Sequence, residues 1–320
     1  MKAPAFWQTD SLPATLLTPI SWAYAAGAAL HRAVRTAYKA PIPVLCVGNL
    51  VVGGAGKTPV ALSVAARLIA QGKAVHFLSR GYGGREAGPL LVDPEHHDAA
   101  TVGDEPLLLA RTAPCWISRD RAAGVRAAAA AGAEFVVMDD GFQNPSIQKD
   151  ISLVVIDGET GFGNGRLIPA GPLRESVRSG LGRADAVVLL GSDSAGVTAM
   201  IPRETPVLRA TITPTPPPDL LNGDMVYAFA GIGRPEKFFA TLESLNCRVT
   251  GRQAFPDHHP YTKREIDDLL DRAQQAAAIP VTTEKDHLRL PETAKASVQT
   301  LPITVSWQDA EALDRLLDRF

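Results

Sequence analysis

Lys57 and Thr58 close the run Gly53-Gly54-Ala55-Gly56-Lys57-Thr58, with Pro59 behind them. A glycine-rich turn opening a helix aims successive backbone N–H groups at phosphate oxygens, and the helix N-terminus adds favourable partial charge. Lys57 would reach the β- and γ-phosphates of a nucleotide, and Thr58 would hold Mg²⁺. The commoner loop has a glycine where this chain has Val51, so the match is to the glycine-pair variant. Many loops of that variant carry a lysine just before the pair. Here the residue is Val52, which argues against a lysine-mediated dimer. A second element of phosphate chemistry is the apolar run "EFVVMDDG", ending in Asp139 and Asp140. Acids at a strand end beside such a loop hold Mg²⁺ directly or through water. The alternative is an aspartate that only caps a turn.

Phosphoryl transfer also needs a base and charge neutralisation. "TVGDEPLLLA" puts Asp104 at a helix start, where a plain N-cap is the competing reading. "RLIPAGPLRES" carries Arg166, Arg174 and Glu175 in a proline-glycine loop, a natural place for substrate contacts. "FPDHHPYT" offers Asp257, His258 and His259, which by themselves read as solvated loop residues. "VTTEKDHLR" sets Glu284, Lys285 and Asp286 at a strand end. It differs from the Asn-Lys-x-Asp of guanine readers, which disfavours GTP.

These residues need a scaffold, and the hydrophobic pattern supplies one. Short apolar runs ("PIPVLCVGNL", "AVHFLS", "CWIS", "EFVVMDDG", "ISLVVID", "ADAVVLLG", "PVLRATI") alternate with helical stretches such as "TPVALSVAARLIAQG" and "RDRAAGVRAAAAAGA". That alternation predicts an α/β fold of P-loop NTPase type, a mostly parallel sheet flanked by helices. "TPTPPPDL", Thr213 to Leu220, marks a boundary. Beyond it a second, smaller α/β unit is expected, with "ITVSW" and the final helix included. The expected division is 1–40, 41–215 and 216–320. From Leu16 to Lys39, apolar residues recur at helical spacing, with Arg32, Arg35 and Lys39 on a different face from Leu30, Val34 and Tyr38. This predicts an amphipathic helix, packed on its own domain or lying in a membrane interface.

Composition narrows the classes. The 320 residues are 46% hydrophobic and 21% charged, an ordinary globular balance. A net charge of −2 gives no footprint for nucleic acid. Cys46, Cys115 and Cys247 have no metal spacing and read as buried thiols in a reducing compartment. No apolar run reaches the ~20 residues of a spanning helix, and no secretory signal is expected.

Taken together, "VGNLVVGGAGKTP", "LSRGYGG", "VGDEP", "MDDGFQ", "IPAGPLRE", "FPDHHPY" and "TEKD" resemble, in order, the tetraacyldisaccharide 4′-kinases, the lipid A 4′-kinases of Gram-negative bacteria. The loop alone is shared by many ATPases; its combination with "RGYGG", "DDGFQ" and "GPLRE" is far more specific. The resemblance implies ATP and Mg²⁺, with transfer of the γ-phosphate to the 4′-hydroxyl of a tetraacyldisaccharide 1-phosphate to give lipid IVA. It implies Asp104 as base, His258 as its partner, Lys57 and Arg174 as cations of the site, and Gly53 to Pro59 as the nucleotide loop. Thr58, Asp139, Asp140 and Glu175 are implied on the metal side. It further implies a monomeric, peripheral protein on the cytoplasmic face of the inner membrane, seated by its N-terminal helix and binding a glycolipid. Two other classes remain open: an ATP-dependent ligase with the glycine-pair loop, and a non-enzymatic membrane-associated switch ATPase.

Overall fold

The fully apolar runs become the middle strands of a nine-stranded sheet, because only a strand covered on both faces can bury every residue. The computed structural model describes residues 4–217, 220 and 223–319. Pro218 and Asp219 of the proline segment therefore lie outside the described residues. After helix α1 (Leu12–Ala33) the chain forms β1 (Val44–Gly48), α2 (Lys57–Ala70), β2 (Val75–Ser79), β3 (Leu90–Leu91), α3 (Ala99–Val102), α4 (Asp104–Ala110) and β4 (Cys115–Ile117). It continues through α5 (Arg121–Ala130), β5 (Phe135–Asp139), β6 (Ile151–Asp157), α6 (Val177–Leu181), β7 (Ala186–Leu190) and β8 (Val207–Pro214). Next come β9 (Met225–Ala230), α7 (Pro235–Ser244), β10 (Arg248–Ala254), α8 (Lys263–Gln275), β11 (Ile279–Thr283), α9 (Glu284–Leu288), α10 (Glu292–Lys295) and β12 (Gln299–Leu301). β13 (Ile303–Trp307) and α11 (Ala310–Leu317) end the chain.

The large sheet has the order β13-β8-β7-β6-β1-β5-β2-β4-β3, parallel except at its two edge pairs. Along β1, Leu45 and Val47 face the core beneath α2, while Val44 and Cys46 face the opposite core beneath α5 and α6. This alternation is the two-residue period of a strand with both faces covered. The cysteines are free and buried, as their apolar neighbours predict.

The smaller sheet, β10-β9-β11-β12, is parallel throughout and carries its own cores against α7 and α8. The assignment of everything after 216 to this unit needs correction. β13 pairs antiparallel with β8 in the large sheet, and Leu313, Leu316 and Leu317 of α11 join the core under α2. Arg67 of α2 clamps Asp314 through two bonds of 2.7 and 2.5 Å. The apolar stripe of α11 is therefore satisfied by the first unit, and the chain crosses between units twice.

The N-terminal helix also differs from its sequence reading. It spans Leu12–Ala33 and stops short of Arg35 and Lys39. Tyr38 is drawn into a parallel bridge with Ile147, its N–H donating to the Ser146 carbonyl, so the backbone is already extended before β1. Mostly small or polar residues (Ala14, Thr18, Ser21, Ala25, Ala28, Arg32), together with Leu17, face the body of the protein. Leu12, Leu16, Ile20, Trp22, Leu30 and Val34 point outward and are exposed.

Candidate active site

The glycine loop lies where β1 passes into α2. Gly56, the last residue before the helix, has φ +82°, a conformation that strains any residue with a Cβ. Lys57 and Thr58 start α2 and are buried. The Thr58 hydroxyl donates to Asp139 Oδ2 at 2.9 Å, because β5 is the parallel neighbour of β1 and brings Asp139 level with Val47. The other Asp139 oxygen, Oδ1, is buried without a hydrogen-bond partner. Burial, followed by the charge of Glu105, pushes this carboxyl up to about 7. A buried oxygen with no partner beside a hydroxyl oxygen is a hard-donor pair that suits Mg²⁺.

Asp140 turns the other way. Its backbone is left-handed (φ 51°), and its carboxylate takes Arg174 Nη1 at 2.7 Å and Nη2 at 3.2 Å, with Lys57 Nζ at 3.6 Å. Burial raises the Asp140 carboxyl, but Lys57 and Arg174 outweigh it and hold the group below its usual range. Glu175 is buried against Arg183 at 2.5 Å, with Gln143 and Ser179 at 3.2 Å. The expected metal set is thus only partly assembled. Thr58 and Asp139 converge, whereas Asp140 and Glu175 are occupied by arginines. Among the described residues no group of three or more His, Cys, Asp or Glu is arranged around a metal position.

Asp104 is the first residue of α4, not its cap; Gly103 precedes it with φ +94°. The carboxylate is 3% exposed and meets His258 Nδ1 at 3.0 and 3.1 Å, and Arg289 Nε at 3.3 Å. His258 follows β10, with φ +57° and its N–H on the Gly231 carbonyl. These backbone constraints turn its ring toward the first unit. His259 turns away, stacked on Phe255 and bonded to Glu265 at 3.1 Å. Burial raises the Asp104 carboxyl, but the His258 hydrogen bond and the charges of His258, Lys285 and Arg289 bring it below its ordinary value. The same hydrogen bond raises His258.

Contacts beyond the expected set complete the site. Tyr82, from "RGYGG", sets its ring edge-on to His258 at 5.4 Å. Lys285 Nζ lies 2.6 Å from Glu105 Oε1. Arg289 was invisible in the sequence because its partners, Asp104 and the Gly231 carbonyl, are remote in the chain. Its spacing of three from Asp286 was the one local clue. A Cβ placed on Gly233 would lie 3.4 Å from the Gly54 backbone nitrogen, so the smaller unit roofs the glycine loop. Arg234 and Lys237 pin that roof to Asp157 at the end of β6. Arg166 is not at the site: it bonds Asp10 and Thr18 and ties α1 down. A cavity of about 200 Å³ runs between Ala25, Ala28, Ala29 and Arg32 of α1 and the loop bearing Arg174 and Glu175.

Residues 13–320 match the family model described as Tetraacyldisaccharide-1-P 4'-kinase (LpxK). The chain belongs to this family. Two curated relatives, both named tetraacyldisaccharide 4'-kinase, are similar over nearly their full length. The protein of Rhodospirillum centenum is 55% identical, covering 99% of this chain and 96% of its own. That of Rhodospirillum rubrum is 53% identical, covering 100% and 98%. The crystal structure of the "apo" form of LpxK from Aquifex aeolicus in complex with ATP superimposes with a TM-score of 0.78 at 28% identity, covering 96% of this chain and 98% of that one. The LpxK fold, with its large mostly parallel sheet and second smaller sheet, is therefore the fold of this chain.

Proposed function

We propose that this chain transfers the γ-phosphate of ATP to the 4′-hydroxyl of a tetraacyldisaccharide 1-phosphate, with Asp104 taking the hydroxyl proton. The reaction is that of its family, an ATP-dependent kinase step of lipid A biosynthesis. The observation that carries the residue roles is the Asp104–His258 contact at 3.0 Å, made across 154 positions and two units beside the glycine loop.

The chemistry follows from the geometry. The Asp104 carboxylate is ionised throughout the neutral range and accepts the proton as the sugar oxygen bonds to the γ-phosphorus. The bond from that phosphorus to the bridging oxygen breaks, and ADP leaves with the electron pair. His258 fixes the carboxylate's orientation, and Arg289 supports it through Oδ2. Lys57 neutralises the charge that spreads over the equatorial oxygens, and the Gly53–Gly56 amides hold the phosphates in line. Thr58 and Asp139 are the residues that would hold Mg²⁺, which supplies Lewis-acid charge neutralisation when bound. Asp140 and Glu175 act through Arg174 and Arg183, shaping the acceptor side. The roof at Gly233 excludes water, the competing acceptor.

The outward apolar face of α1 supports a seat on a membrane surface; we place that surface at the cytoplasmic face of the inner membrane and take the protein to act there as a monomer. Among the described residues no helix is long and apolar enough to cross a membrane. The cavity of about 200 Å³ between α1 and the loop bearing Arg174 supports approach of the glycolipid from that side.

A double-mutant cycle tests the dyad. Asp104→Ala and His258→Ala should each lower turnover by roughly a hundredfold or more with little change in ATP affinity, and the double variant should be no worse than the poorer single one. Losses that multiply would mean that the two residues act independently.

A further inference from the structure

Helix α9 of the smaller unit packs against α4, which begins with Asp104 and Glu105, and the chain from α9 to Arg289 presents two cations there. It is held rigidly. Asp286, fully buried, accepts from the Gly231 amide at 2.8 Å, the Tyr261 hydroxyl at 2.7 Å and the Thr283 hydroxyl at 2.6 Å. Arg289, at the end of the helix, is 6% exposed and committed to Asp286, Asp104 and the carbonyls of Gly231 and His259.

Lys285 differs. Its side chain is 26% exposed, and its ion pair among the described residues is with Glu105 at 2.6 Å. Burial alone would lower its ammonium pKa, but the charges of Glu105 and Asp104 more than offset this and keep it protonated. Glu105 lies close enough to Lys57 to feel its charge, and Lys285 close enough to Asp139 to stabilise that carboxylate. Glu105 is the chain neighbour of Asp104, so the ammonium, brought by the other unit, stands beside the carboxylate that faces His258. Of the cations around the cradle, Arg174 is forked onto Asp140 and Arg289 is locked. Lys57 and Lys285 each hold a single carboxylate. A lysine head on a flexible four-carbon stem exchanges a carboxylate for a phosphate oxygen without backbone movement.

We propose that Lys285 is a second phosphate-contacting lysine of the transfer site, held on Glu105 in the nucleotide-free chain and passed to the γ-phosphate when Mg·ATP binds. This rests on reading the glycine loop as the ATP site. A cation supplied from the opposite side to Lys57 neutralises the transferring group only when the units are together, so transfer is coupled to their closure.

The test is titration of the full chain, without acceptor, with Mg·ATP and Mg·ADP, for wild type, Lys285→Ala, Lys285→Gln and Lys285→Arg. Wild type should bind ATP more tightly than ADP. The Ala and Gln variants should lose about tenfold of ATP affinity while ADP affinity holds, the size of one charge-assisted contact. The Arg variant should recover part of the difference. Turnover of the Ala variant should fall by about a hundredfold, with the glycolipid KM little changed. An unchanged ATP-to-ADP ratio in both Ala and Gln variants would overturn the proposal, as would equal loss of both nucleotides. A wild-type chain that binds neither nucleotide would instead overturn the ATP reading on which it rests.

Discussion

At the scale of single residues, charge placement decides what each group can do. Lys57 faces one carboxylate loosely, at 3.6 Å, and is free to turn to phosphate; Arg174 is forked onto the same carboxylate and is not. Lys57→Ala should therefore cut turnover on the order of a hundredfold or more while the chain stays folded, with a melting temperature lowered by the loss of a buried partner of Asp140, measured by label transfer and calorimetry. His258 illustrates the same logic through pH. Its folded pKa is raised above the ordinary 6.5, chiefly by the Asp104 hydrogen bond. The contact therefore contributes its full stability below pH 6.5 and loses it as pH rises through the folded value. The melting-temperature gap between wild type and His258→Asn should be widest near pH 6 and narrow toward pH 9. A gap that widens with pH would reverse the assigned charge of the imidazole. The sequence motifs named Asp104 and His258, but local reasoning alone could not join them. Residues 154 positions apart share no period, and only the resemblance paired them.

Among the elements, the central strands were legible because each is a continuous apolar run bounded by glycine or proline. Short elements such as β3, β12 and α9 were not, since two to five residues carry too little periodicity. α1 was found but misplaced at both ends. Its spacing continues past Ala33, and the bridge at Tyr38 that ends it depends on a distant partner, Ile147. Its orientation was also hidden. The helix turns small residues inward, with the Ser21 hydroxyl donating to the Leu167 carbonyl at 2.8 Å and accepting from the Ala170 amide at 3.2 Å. Large apolar residues are left outside, with Leu16 69% and Ile20 56% exposed. Because α1 also holds the loop that carries Arg174, deleting it would disturb the site. The cleaner test is Leu16→Asp with Ile20→Asp, which removes roughly 3 kcal/mol or more of burial in a lipid interface and nothing from the core. Flotation with liposomes should fall at least tenfold while turnover on detergent-dispersed glycolipid stays within about twofold. Unchanged flotation would mean that α1 is not the seat.

For the whole molecule, two units are joined by two chain crossings and a charged seam. β13 and α11 return to the large sheet, and Arg234 and Lys237 meet Asp157 while His258, Lys285 and Arg289 meet Asp104 and Glu105. The sequence pattern put β13 in the wrong unit because a strand's own residues do not say which sheet edge it will join. The seam brings Asp104, the cations and the Gly233 roof together around the glycine loop, the arrangement from which the proposed transfer follows. On the proposed reading, phosphate passes from such a site to an acceptor that enters beneath the roof, not to water. The direct measurement is incubation of the full chain with γ-labelled ATP, Mg²⁺ and tetraacyldisaccharide 1-phosphate, followed by separation of the lipid and location of the new phosphate by phosphorus NMR. The account predicts label on the lipid as a 4′-phosphate monoester, with ATP consumption dependent on the glycolipid. ATP hydrolysed to free phosphate at the same rate with and without the lipid, or label trapped as an acyl phosphate on a carboxylate acceptor, would contradict it.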